Sequence, residues 1–286
     1  MQVKPSNLLQ NFRHYEVPFL RRIAELERGG KEIISFTGGD AALLGYEPPA
    51  YTTTALVNAA KKNLTMYPSF SRDLIKRFRE AVARREKKVH GTSYDPEDVI
   101  WTNGVTHAHN LVYFSLLGPE NECILLEPTH FSWCARELKM LEFKKKFTDY
   151  VNFCVLMPMT TIAAATEVLE RSLDMGGMNH LDTLNKKLER QRDFLWKRMN
   201  EIEGVSCVKP RGTYYTFPLI EEVGKTWKSE GKFVMDLLEE GVYVRPGFLF
   251  GSVNCQRHVR VSFILSIDEM RRGLDVWETF MKKQVG

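Results

Sequence analysis

The sequence predicts an α/β fold in which a large domain with a mostly parallel sheet is joined to a smaller α+β domain. Three observations carry this. Up to about residue 150, short apolar runs alternate with helix-period segments, as in strand-helix units. Beyond it the texture changes to long amphipathic segments and paired short strands. The chain has 286 residues at 43% hydrophobic composition, ample for a sizeable core and enough for about two domains.

Each element has a local reason. Residues 33–38 read as a short strand running into a Gly38-Gly39-Asp40 turn. A short helix is expected over residues 55–64, and a longer, strongly charged one over 73–88. Asp95-Pro96-Glu97-Asp98 is a turn, leading to a buried strand over 99–102. A helix over 105–117 ends at Gly118-Pro119. The next strand spans 123–126, and the helix after Pro128 runs to about residue 141. In the second part Leu181, Leu184, Leu188, Leu195, Met199 and Ile202 fall at helical spacing on one long amphipathic helix. Strands at 205–209 and 213–217 flank a Pro210-Arg211-Gly212 turn, and a helix follows at 232–240. Strands at 242–246 and 258–263 enclose a Pro246-Gly247 turn and an aromatic loop. Met270, Leu274, Trp277 and Met281 mark a terminal helix.

Composition excludes some partners. A formal charge of +4 is small for this length, and runs such as Lys144-Lys145-Lys146 and Arg271-Arg272 read as solvated faces rather than a nucleic-acid footprint. No apolar run approaches the ~18 residues that span a bilayer, so no membrane partner is expected. The polar first 13 residues lack a signal-peptide core and point to the cytoplasm. Cys123, Cys134, Cys154, Cys207 and Cys255 are odd in number and irregularly spaced. They suggest neither a disulfide framework nor a metal site.

Four segments could carry chemistry. Arg260 interrupts the apolar alternation of the last strand. It is either a residue of the solvated face or a planar fork donor placed for bidentate capture of a carboxylate. Thr102-Asn103-Gly104-Val105-Thr106 joins a strand to a helix, so the first helical amides could receive a phosphate, or the turn is purely structural. Glu127-Pro128-Thr129-His130-Phe131-Ser132-Trp133 lies beyond the carboxyl end of a strand, where ligands of open α/β sheets bind. Its aromatic residues either stack on a planar ring or belong to the core. Tyr67 is a phosphate-contacting phenol or a loop aromatic.

In this order the segments resemble the class I/II pyridoxal-phosphate-dependent aminotransferases of fold type I. The resemblance is carried by Gly38-Gly39-Asp40, Tyr67, the helix over 74–83, Asn103-Gly104-Val105-Thr106-His107-Ala108 and the Pro128 cluster. It continues through Pro158-Met159-Thr160-Thr161-Ile162-Ala163, Gly212-Thr213-Tyr214-Tyr215 and Pro246-Gly247…Phe250-Gly251…Val259-Arg260-Val261-Ser262. It implies that Gly104, Val105 and Thr106 hold the phosphate of pyridoxal 5'-phosphate and that His130 stacks on its ring. Tyr67 would reach the cofactor phosphate of the neighbouring subunit in a homodimer. Arg260 and Gly39 would bind the amino-acid or 2-oxo-acid substrate. It also implies that residues 1–48 belong to the small domain with 185–286, and that 49–184 form the cofactor-binding domain, truncated near 150.

One stretch of the family pattern is missing. Tyr150-Val151-Asn152-Phe153 bridges the place where such enzymes carry an Asn-Pro segment, the aspartate for the pyridinium nitrogen and the Ser-Lys that forms the Schiff base. Neither an Asn-Pro nor a Ser-Lys dipeptide occurs in the chain. No catalytic residue is therefore identified. The expectation is a partial record of a longer aminotransferase. The alternatives are a lyase or decarboxylase on the same scaffold, and a non-catalytic binding or dimerisation protein.

Overall fold

The computed structural model describes residues 16–39, 45–64, 72–117, 120–121, 124, 126–129, 158–174 and 179–285. It divides into two compact units, one of Met1–Gly45, Ile124–Met140 and Asn185–Gly286, the other of Tyr46–Cys123 and Leu141–Leu184.

The first unit is organised by period-two alternation. Strand β1 (Ile34–Ser35) runs parallel to β5 (Val242–Tyr243), with Ile34 opposite Val242 and Ser35 opposite Tyr243. After Val244 the chain continues as β6 (Arg245–Pro246), antiparallel to β7 (Val259–Ser262), with Arg245 opposite Arg260. The other edge of β7 takes β3 (Tyr215–Thr216), with Tyr215 opposite Ser262. Ser262 N donates to the Phe36 carbonyl at 2.8 Å, tying the segment after β1 to the end of β7. A separate antiparallel pair joins β2 (Val205–Ser206) to β4 (Leu219–Ile220).

Because successive side chains leave a strand on opposite faces, this register sorts residues into two sets. Phe36, Val242, Val244, Val259, Val261 and Phe263 point into the core and are all but fully buried. Each such side chain contributes about 1.5–3 kcal/mol over its exposed state. Ser35, Thr37, Tyr243, Arg245, Arg260 and Ser262 share the other face. Helices α1 (Val17–Arg28), α6 (Asn179–Met199), α7 (Glu230–Glu239) and α8 (Ile267–Val285) contribute Phe19, Leu195, Phe233, Leu237, Trp277 and Met281 to the hydrophobic core, in which Phe19 lies beside Tyr243 with ring centroids 6.1 Å apart.

Two helix starts are secured by side chains. Ser229 caps α7 by accepting from Lys232 N at 3.2 Å. Ser266 and Glu269 form a reciprocal capping box on α8, each side chain accepting from the other's backbone N–H at 3.2 and 3.0 Å.

The described part of the second unit is helical. Helix α5 (Met159–Asp174) packs on α2 (Ala50–Lys61) and α3 (Arg72–His90). Ala55, Ala59 and Ala164 form a small-residue seam there, and Arg77 pairs with Glu170 at 2.7 Å. Helix α4 (Gly104–Leu116) follows the Asn103 turn.

Several expectations need correction. Residues 99–102 are not a strand and not buried: Ile100 is 66% exposed. A buried parallel strand needs hydrogen-bonded neighbours and cover on both faces, and the described residues supply neither. Ile124 and Leu126, expected in the next strand, are exposed as well. The helix expected over 55–64 starts earlier, at Ala50, directly after Pro49. Ile202 is buried but lies beyond the end of α6. The strands of the first unit are shorter than the alternation suggests. The central stretch of the predicted parallel sheet, the helix over 128–141, Tyr150-Val151-Asn152-Phe153, and Cys123, Cys134 and Cys154 lie outside the described residues. Cys207 and Cys255 are buried thiols.

Candidate active site

The polar face of the first unit holds a buried cation. Arg260 is 7% exposed, so the solvated-face reading of this residue is wrong. The β-period does carry it to the non-core face, but that face is itself covered. The guanidinium lies 4.0 Å from the Tyr215 ring centroid and 4.9 Å from that of Phe250, an aromatic frame that favours a planar cation. Its Nη2 donates to the Thr37 carbonyl at 3.2 Å. Nε is buried and finds no hydrogen-bond partner among the described residues. Burial first, and then the neighbouring Arg245 charge, lowers its pKa to about 10, which still leaves it protonated at neutral pH.

Burying a charge costs several kcal/mol. The chain keeps one here and surrounds it with groups that hold it in place. Gly39 sits against the same frame. A β-carbon there would come within 2.8 Å of the Tyr215 hydroxyl oxygen, and the Gly39 carbonyl accepts from the Tyr214 hydroxyl at 3.1 Å. Burial pushes the Tyr215 hydroxyl up to about 12, with its hydrogen bond to Tyr214 acting in the same direction. Phe250 is positioned by the loop after β6. In that loop Gly247 N donates to the His258 carbonyl at 2.8 Å, and Thr129 N donates to the Phe250 carbonyl at 2.9 Å. Glu127, from the expected ligand-edge segment, accepts from Ser252 N at 2.7 Å and from its hydroxyl at 3.1 Å.

Of the sequence candidates, the structure brings Arg260 and Gly39 together around Tyr215. Thr37, Tyr215 and Phe250 escaped sequence reading as site residues. The signal for Tyr215 was its place in the aromatic pair after Gly212; nothing in the sequence pointed to the Thr37 carbonyl. His130 and Tyr67 lie outside the described residues.

Gly104, Val105 and Thr106 belong to the second unit and form the exposed start of α4. Gly104 has φ +78°, a left-handed conformation that costs other residues about 1–2 kcal/mol. Open space surrounds the point where its β-carbon would be, so the conformation selects glycine there and steric room does not. Asn103 N donates to His107 Nδ1 at 3.1 Å, and the Thr102 hydroxyl donates to the Gly104 carbonyl at 3.0 Å. Val105 and Thr106 are exposed.

Comparison with known proteins decides the family. The family model "Aminotransferase class I and II" matches residues 133–276, half of the chain. The chain belongs to the class I and II aminotransferases. Its sequence is similar to an aspartate aminotransferase of Pyrococcus abyssi, with 30% identity over 145 residues, covering 51% of this chain and 35% of that protein. An aromatic-amino-acid aminotransferase of Thermococcus litoralis is 28% identical over 140 residues, covering 49% and 34%. The chain spans about a third of the length of the curated relatives it matches.

Among solved structures, an alanine aminotransferase from Pyrococcus furiosus superposes with a TM-score of 0.82 at 21% identity, over 98% of this chain and 100% of that one. A mutant aspartate aminotransferase of Thermus thermophilus gives 0.79 at 17%, over 97% and 100%. The fold of this aminotransferase-family chain is therefore the α/β fold type I of the pyridoxal-phosphate-dependent aminotransferases. No helix among the described residues is long and apolar enough to cross a membrane.

Proposed function

We propose that this chain is the substrate-carboxylate-binding part of a pyridoxal-5'-phosphate-dependent aminotransferase, which moves an amino group between an amino acid and a 2-oxo acid. It acts as a cytoplasmic homodimer. The observation that carries the reading is the buried Arg260 guanidinium, framed by Tyr215 and Phe250, whose Nε has no partner among the described residues. A substrate carboxylate is the planar anion that matches such a fork. The relatives named above as aspartate, aromatic and alanine aminotransferases act on substrates that all present one.

The cofactor fits in part. The left-handed Gly104 turn and the exposed residues Val105 and Thr106 at the start of α4 suit a phosphate. When bound, pyridoxal phosphate supplies an electron sink that makes the α-hydrogen of an amino acid acidic. Covalent attachment does not fit the described residues. A Schiff-base lysine stands in an enclosed setting that lowers its pKa, whereas every described lysine is exposed. Lys4, Lys139, Lys144, Lys145 and Lys146 lie outside the described residues.

The roles of the chain's own residues are thus binding and orientation. Arg260 receives the carboxylate, and the Thr37 carbonyl holds one of its nitrogens so that the fork keeps its plane. Tyr215 and Phe250 exclude water from the pair, which strengthens it. Gly39 leaves the space that a side chain would fill.

Turnover of an amino donor with 2-oxoglutarate tests the reading: keto-acid release is the expected result. Pyruvate with ammonia would assign a lyase instead. The exposed lysines favour a second reading, a non-catalytic binding protein of the same family. Carboxylate binding without turnover, and without borohydride-trapped cofactor, would establish that one.

A further inference from the structure

The register that places Arg260 also places a second arginine beside it. Arg245 is its direct partner across the β6–β7 ladder, so both side chains leave the same face of the sheet. Two guanidiniums on adjacent strands could grip two carboxylates of one ligand. They are not equivalent, however. Arg245 Nε donates to Glu16 Oε1 at 2.5 Å, and the same oxygen accepts from the Tyr243 hydroxyl at 3.2 Å. Glu16 is 6% exposed and comes from the residue preceding α1, remote in sequence from both strands. Tyr243 lies two residues before Arg245 and so shares its face, and burial followed by the Glu16 charge raises its hydroxyl pKa well above the usual range, which keeps it a donor. The contrast is between one arginine satisfied from within the chain and one that is not.

We infer that Glu16 is a specificity-determining residue: by occupying Arg245 it leaves Arg260 as the donor to a single carboxylate, and selects monocarboxylate amino acids and 2-oxo acids over dicarboxylates. The inference rests on the carboxylate-capture reading of Arg260 and extends it to substrate class. An internal carboxylate already desolvated and held at two points outcompetes the second carboxylate of a ligand, which has to lose its water to enter. Removing the internal carboxylate takes the Glu16 charge away from Arg245, whose side chain is 23% exposed and so open to a ligand.

The test is titration of the full 286-residue chain with propionate and with succinate, followed by calorimetry or by ligand-detected NMR. In the unaltered chain propionate is expected to bind more tightly than succinate, whose second carboxylate meets the Arg245 already held by Glu16. Glu16→Gln is expected to tighten succinate about tenfold relative to propionate, the size of one added hydrogen bond between charged groups. Arg245→Met gives a second, independent readout. It leaves Glu16 without its partner beside Arg260, so both probes should weaken by about tenfold as the internal carboxylate competes for that arginine. An unchanged succinate-to-propionate ratio in Glu16→Gln, or unchanged binding of both probes in Arg245→Met, overturns the assignment of Glu16. Arg260→Met separates the two levels. If it leaves propionate binding intact, carboxylate capture itself is wrong; if it abolishes binding while the Glu16 variant keeps the ratio, only the selectivity inference falls.

Discussion

Arg260 and the Gly104 turn are both anion-binding candidates, and they differ in how the chain sustains them. Arg260 lies on the central strand of three, is enclosed by two aromatic rings and keeps a buried nitrogen that has no partner among the described residues. The Gly104 turn is an exposed helix start whose conformation needs one glycine and nothing packed against it. A buried unpaired charge carries a standing cost that a ligand can repay. An exposed helix terminus is already hydrated and so says much less about a ligand. The lesson is that burial, rather than residue type, separates a strong site assignment from a weak one.

The largest expected effect that would break this contrast lies in the loop beside Arg260. Gly247 is buried, and a β-carbon there would fall on the Cys255 carbonyl and 2.6 Å from the His258 oxygen. Gly247→Ala should therefore cost about 3 kcal/mol or more in urea unfolding, as backbone-against-backbone overpacking does. A cost below that of the Gly104 variant would show that the loop holding Phe250 yields easily. Next in size, Arg260→Met should stabilise the fold by about 1–2 kcal/mol, because it replaces a buried charge, set beside the like charge of Arg245, with an apolar chain of similar length. Destabilisation in the same assay would mean that the guanidinium is structurally satisfied after all.

Gly104→Ala should cost about 1 kcal/mol, from its left-handed backbone alone; a much larger loss would reveal packing around the turn. The smallest effect is a change of alkaline slope. The Tyr215 pKa is raised in the fold from its ordinary value near 10 to about 12. Stability from this group is present below pH 10 and is lost as the pH rises through 12, because the unfolded chain releases the proton first. Tyr215→Phe should flatten the fall in melting temperature across that window, and an unchanged slope would count against a buried hydroxyl.

Much of this was legible in the chain. Six of the eight described helices announced themselves by periodicity, with boundaries off by a few residues, whereas α1 and α5 were not expected, and Arg260 stood out as a charge in an apolar alternation. The Ser266 to Glu269 capping box was equally readable and went unread. The strand expected at 99–102 failed because apolar composition does not create a strand when the described residues offer it no hydrogen-bonded neighbour. Arg245 and Glu16 gave no usable signal. Arg245 sits next to a proline-glycine turn, where a charge usually faces water, and Glu16 is separated from it by more than two hundred residues.

The sequence by itself determined the alternation that sends Arg260 to the face opposite Val259 and Val261, since strand geometry is local. It determined as well the glycines that Gly39 and Gly104 supply. Only the tertiary structure decided that this polar face is covered, that Tyr215 and Phe250 close on Arg260, and that Glu16 claims Arg245. Those outcomes depend on strand register and on contacts between distant segments, and the free energy of burying a charge is set by everything that surrounds it.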